Sequence, residues 1–163
     1  MEFLTEEKLR ATIKHELGHY IISFTKTDSF EDFAIELDVA NKVNPGMYSM
    51  KTGVTHEDNF YISAAGSVSE VLKGNEINLD EAYQRLIKWN VYDYESIKKS
   101  LKYIREKYGA EAADYYEKDI LPTGTILPEI KQYILFYKDA IENITDYVLE
   151  KHRKEPVLKI VIT

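Results

Sequence analysis

The sequence predicts a single α+β domain that is mostly helical. The helix bearing a His-Glu-x-x-His motif packs beside a small sheet, and a bundle-like helical part follows. Three observations predict this. Apolar residues at helical spacing, bracketed by capping residues, recur over most of the 163 residues. One internal segment, FAIELDV at 33–39, alternates Phe33, Ile35, Leu37 and Val39 with other residues, the period of a half-buried strand. No linker, repeat or low-complexity tract divides the chain, so residues 1–163 read as one domain.

The elements follow in order. Thr5 is a good N-cap, with Glu6 and Glu7 in the positive first turn, so a helix is expected from there to about Phe24. After the strand at 33–39, NPG at 44–46 reads as a turn and GMYSMKTGV as a second short strand. A helix of small residues is expected over Asp58–Lys73, with Gly74 just past its end. Further helices are expected over Asn78–Asn90, from Asp93 as a cap to about Gly109, and over 110–118. LPTGTILP is a loop. Pro128 suits the first position of a long helix to about Arg153. VLKIVIT at the end has strand character.

Composition excludes several classes. A net charge of -7, with basic residues interleaved among acidic ones, offers no basic stripe for nucleic acid. No apolar run is long enough to span a bilayer, and MEFLTEEKLR does not resemble a signal peptide. The absence of cysteine removes disulfides and thiolate metal sites. Cytoplasmic location is the expectation, with no nucleic-acid or membrane partner. The 13 tyrosines, and Trp89 with its tyrosine neighbours, read as core and rim packing.

The chemistry lies in IKHELGHYI, which contains His-Glu-x-x-His at His15, Glu16 and His19. Residues four apart share a helix face, so two imidazoles can grip one ion. Glu16 sits beside that face. It can reach a metal-bound water without ligating the metal, and zinc makes that water acidic enough for a carboxylate base. At about 100° per residue, Leu9, Ile13, Leu17, Tyr20 and Phe24 cluster on one side of the helix. His15 and His19 fall opposite, among Ala11, Thr12, Gly18 and Ile22. Both faces are therefore expected to be covered, and buried imidazoles need polar partners.

HELGH, the segment FAIELDV, a turn with GMYSM, and then AAGSVSEVLKG at 64–74 together resemble the peptidase domain of the FtsH-type AAA metalloproteases. The order of elements covers most of residues 1–90. The resemblance implies a zinc endopeptidase with Glu16 as base, His15 and His19 as zinc ligands, and an aspartate beyond the second motif as third ligand. Counting strictly puts Asn78 in the aspartate's place, and a two-residue shift puts Asp80 there. Asn brings no charge to the ion, which selects Asp80, with Glu76 and Glu81 as alternatives. Tyr20 departs from the family's alanine after the second histidine, and the segment between the motifs is shorter. The family's P-loop, G-x-x-x-x-G-K-[ST], is absent from these residues. The resemblance thus implies a peptidase domain without its ATPase, acting on flexible or unfolded polypeptide. Substrate backbone is expected to add to an edge strand, 33–39 or 46–50. A homo-oligomer and a separate ATPase both remain open as partners.

HELGHYI also resembles the ImmA-type regulatory metallopeptidases. There Glu31 would be the third ligand, and 33–39 would be helix. A third alternative is a peptidase-fold binding module with little or no turnover. His56 reads as a loop surface residue. His152 reads as a cation suited to a helix C-terminus.

Overall fold

The computed structural model describes residues 5–27, 33–38, 54–154 and 157–162. Thr5 opens α1 (Glu6–Thr27), its Oγ1 accepting the Lys8 N–H at 3.2 Å. Thr55 likewise caps α2 (His56–Glu70), accepting the Asp58 N–H at 3.1 Å. Every residue of α2 from Asn59 to Ser69 is buried. A helix covered on all sides is the centre of its domain, and the small residues at 63–67 let neighbours approach it closely. The closest approach is by α1. A Cβ at Gly18 would stand 2.5 Å from Ser69 Cβ and 2.6 Å from the Ala65 carbonyl oxygen, so only glycine permits this crossing.

The other helices surround that pair. They are α3 (Leu79–Lys88), α4 (Val91–Tyr108), α5 (Ala110–Asp119), α6 (Ile126–Phe136) and α7 (Lys138–Lys154). Both α4 and α6 pack on α2, and α7 packs on α1. The α2–α4 seam is polar. Asn59 Nδ2 donates to Ser96 Oγ at 3.1 Å and to Ser100 Oγ at 2.9 Å, and Ser63 Oγ donates to Asn59 Oδ1 at 3.1 Å. Such a buried network favours one register of α4 over its neighbours, because any slip leaves polar atoms unpaired. At the α1–α7 contact, buried Lys14 donates to the Leu72 carbonyl at 3.0 Å and pairs with Glu142 at 2.6 Å.

The expected α+β arrangement is corrected to a helical bundle. The His-Glu-x-x-His helix is covered by α2, α6 and α7, not by a sheet layer. Among the described residues, apart from an isolated bridge between Lys73 and Glu76, strand pairing is confined to one antiparallel ribbon. In it β1 (Phe33–Asp38) meets β2 (Val157–Ile162), with Phe33 opposite Ile162 and Asp38 opposite Val157. Two strands are too few to form a layer of the core. Residues 44–53, including the turn and most of the expected second strand, lie outside the described residues, as does Glu31.

Two further expectations change. The helix expected from Pro128 to Arg153 is two helices that meet at Tyr137, since α6 lies against α2 while α7 lies against α1. Trp89 is not core: it is exposed, together with Tyr92, Tyr108, Tyr115 and Tyr147. No helix of the described residues is long and apolar enough to cross a membrane.

Candidate metal centre

His15 and His19 stand one turn apart on α1, on the face that meets α2. The side-chain partners of each ring fix which nitrogen carries the proton. His15 Nδ1 lies 3.2 Å from Glu70 Oε1, and His19 Nδ1 lies 2.6 Å from the Ile62 carbonyl oxygen. A carbonyl only accepts, and so does an ionised carboxylate. Both Nδ1–H groups therefore donate, so in the neutral rings both Nε2 atoms present lone pairs.

Those lone pairs converge. The two Nε2 atoms are 3.0 Å apart, and Asp93 Oδ2 lies 2.9 Å from His15 Nε2 and 3.2 Å from His19 Nε2. Among the described residues, His15, His19 and Asp93 form the group able to hold a metal ion. Three acceptors facing one another repel unless a cation lies among them. One proton satisfies a single pair, whereas a metal ion satisfies all three. Tetrahedral zinc with bonds of about 2.0–2.1 Å sets its ligand atoms roughly 3.3 Å apart, close to the triangle seen here. The donor set, two imidazoles and one carboxylate, fits a catalytic zinc that keeps one position open.

The carboxylates around His15 favour a cation there, proton or metal ion. Burial opposes a charged imidazole at His15, yet hydrogen bonds and charge from Asp93 and Glu70 outweigh it and push its pKa up to about 10. Burial also opposes ionisation of Asp93, but His15 and His19 hold its carboxyl well below the usual range.

Glu70 orients without ligating. Besides His15, its Oε1 accepts from Asn90 Nδ2 at 2.5 Å, and its Oε2 accepts from Arg85 at 3.1 Å. Burial would raise its pKa, but His15, Asn90 and Arg85 together lower it. A carboxylate pinned this way fixes both the tautomer and the ring plane of its histidine. Asn90 stands at the N-cap position of α4, yet its amide makes no cap bond and donates instead to Glu70 and, at 2.7 Å, to Ser67 Oγ. That anchors the start of α4 on α2. Asp93, three residues on, is thereby carried to the histidines.

Glu16 is half-buried beside them, and among the described residues no hydrogen bond or ion pair engages its carboxylate. Asp80 is corrected: it is exposed in the first turn of α3 and is not part of the cluster. Asn78 is the N-cap of that helix, accepting the Glu81 N–H at 3.0 Å. Glu81 pairs with Arg85, and Glu76 is exposed in the turn before α3. The third acidic partner is Asp93, which sequence reasoning assigned to a helix cap. The signal for it was the Asn90/Asp93 spacing, which puts two polar residues on one face of a helix start. His56 lies apart from the cluster, bonded to Ser100 Oγ at 2.9 Å and stacked on Tyr103.

Gly66 makes room for the His15 ring. A Cβ there would stand 2.5 Å from both Cε1 and Nε2 and 2.7 Å from Nδ1. The ring cannot turn aside without leaving Glu70 and Asp93. Gly66→Ala is therefore expected to keep a helical far-UV circular dichroism spectrum while zinc affinity falls about tenfold or more. Competition against a chromogenic chelator measures this, and wild-type affinity in the variant would show that the ring has space to spare.

Comparisons with protein-family models, with curated proteins and with solved structures find no match to this chain.

Proposed function

We propose that this chain is a zinc-dependent endopeptidase related to the FtsH-type peptidase domain, and that its substrates are flexible or unfolded polypeptides. The observation that carries the proposal is the convergence of His15 Nε2, His19 Nε2 and Asp93 Oδ2 within 3.2 Å of one another, with half-buried Glu16 the next residue along the helix from His15. The extended backbone of Phe33–Asp38 supports the FtsH-type order of elements over the ImmA-type one, which needs a helix there.

His15, His19 and Asp93 would hold the zinc. When bound, zinc makes water a stronger acid and polarises a carbonyl. Glu70 and the Ile62 carbonyl keep the two rings in the tautomer whose Nε2 faces the ion. Glu16 takes a proton from water as the water oxygen adds to the scissile carbonyl carbon. It returns that proton to the amide nitrogen as the C–N bond breaks. These 163 residues contain no nucleotide-binding P-loop, so ATP-driven unfolding would need a motif outside them. One edge of β1 is already taken by β2, which leaves at most its other edge for substrate backbone.

The test is elemental analysis joined to a cleavage assay. Protein purified without chelators is expected to carry about one zinc per chain, and to cleave casein while sparing a stable folded domain. His15→Ala is expected to lose both zinc and cleavage. A native protein that neither carries zinc nor takes it up at neutral pH would end the proposal.

A further inference from the structure

The elbow between α3 and α4 exposes three apolar side chains within four positions. Trp89 is 77% exposed, Val91 54% and Tyr92 91%. The polar residues among and after them turn inward: Asn90 to Glu70 and Ser67, Asp93 to the two histidines. Successive Cα atoms are about 3.8 Å apart, so Tyr92 is rooted beside a metal-centre residue and Trp89 beside the residue that anchors Glu70. The outward side of this elbow thus carries exposed apolar side chains on residues directly next in sequence to Asn90 and Asp93. Its backbone is held in place by Asn90, so it meets a ligand already arranged. The nearest exposed charges along the chain, Lys88 and Glu95, are of opposite sign, so the elbow selects for apolar character and not for charge.

We propose that Trp89, Val91 and Tyr92 form a subsite that holds a large apolar side chain of an unfolded polypeptide next to the bond to be cut. This rests on the peptidase reading and names what the peptidase recognises. An extended chain advances about 3.3–3.6 Å per residue. A side chain one or two residues from a carbonyl at the metal centre therefore falls within reach of the elbow. Unfolded polypeptides differ from folded ones in offering such side chains freely. Covering an aromatic residue removes about 150–250 Å² from water, which makes it an effective grip.

Trp89 is the one tryptophan of the chain, so tryptophan emission, excited selectively over the 13 tyrosines, reports this elbow alone. Zinc-supplemented Glu16→Gln protein is titrated with a short lysine-flanked peptide bearing central phenylalanine and leucine, and with a counterpart bearing serine and glycine. Emission should move to the blue and saturate with the first peptide and stay unchanged with the second. In otherwise wild-type protein, Tyr92→Ser should raise KM for the apolar peptide about tenfold, with kcat within about twofold and zinc affinity unchanged. Tyr92 is almost wholly exposed, so the substitution does not threaten the fold. Two results would overturn the subsite: no spectral shift with the apolar peptide, or a Tyr92→Ser effect confined to kcat. A blue shift that grows with protein concentration alone, with a doubled mass by light scattering, would overturn it in favour of a second copy of the chain. Saturable binding without turnover in wild-type protein would uphold the subsite and remove the peptidase reading. Turnover without a shift would do the reverse.

Discussion

Asp93→Ala is expected to reduce zinc affinity by more than the about 10- to 100-fold that loss of an outer-shell partner costs. The variant loses a ligand atom and also the charge that offsets the ion. Asp80→Ala and Asn78→Ala should bind zinc as wild type does, because both positions are exposed at the start of α3 and take no part in the cluster. The measurement is chelator competition on all three variants. It separates the geometry from the family spacing, which pointed to 78–80. Wild-type affinity in Asp93→Ala, with loss in Asp80→Ala, would mean that α3 and not α4 closes the site.

Glu16→Gln should give the opposite pattern. The amide nearly matches the carboxylate in shape but accepts no proton. Glu16 is also absent from the convergent trio, so zinc should stay bound. Hydrolysis of casein should fall about a hundredfold or more. Loss of zinc in this variant would make Glu16 a ligand, and undiminished cleavage would make it a bystander. The pair of results matters more than either alone, because the proposed function has Asp93 govern metal and Glu16 govern turnover.

What the sequence made legible was local. The Thr5 cap and the shared face of His15 and His19 follow from capping chemistry and helical period, and the structure shows both, while α1 runs to Thr27, past the expected end at about Phe24. The glycines of the two motifs were legible as small residues but not as neighbours. Only the crossing of α1 and α2 shows that Gly18 meets Ser69 and that Gly66 meets His15. Asp93 was misread for a related reason. Asn and Asp are both good caps, and a carboxylate near a helix start has a sufficient local explanation. The contact that gives it another role spans α1 and α4, and no periodicity encodes that. The sheet was over-read. Alternation in FAIELDV and strand character in the tail each suggested part of a layer. The two segments pair with each other in a ribbon, while the covering of α1 falls to helices.

The position of Asp93 has one more consequence. His19 and Asp93 belong to helices separated by the whole of α2 and α3, so an ion shared between them closes a long loop of chain. This chain has no cysteine with which to cross-link itself. An ion that binds only the folded arrangement adds its binding free energy to folding. If the proposed ion binds, its uptake and the docking of α4 on the α1–α2 pair would be a single equilibrium, and the bundle would act as its own metal-dependent clasp.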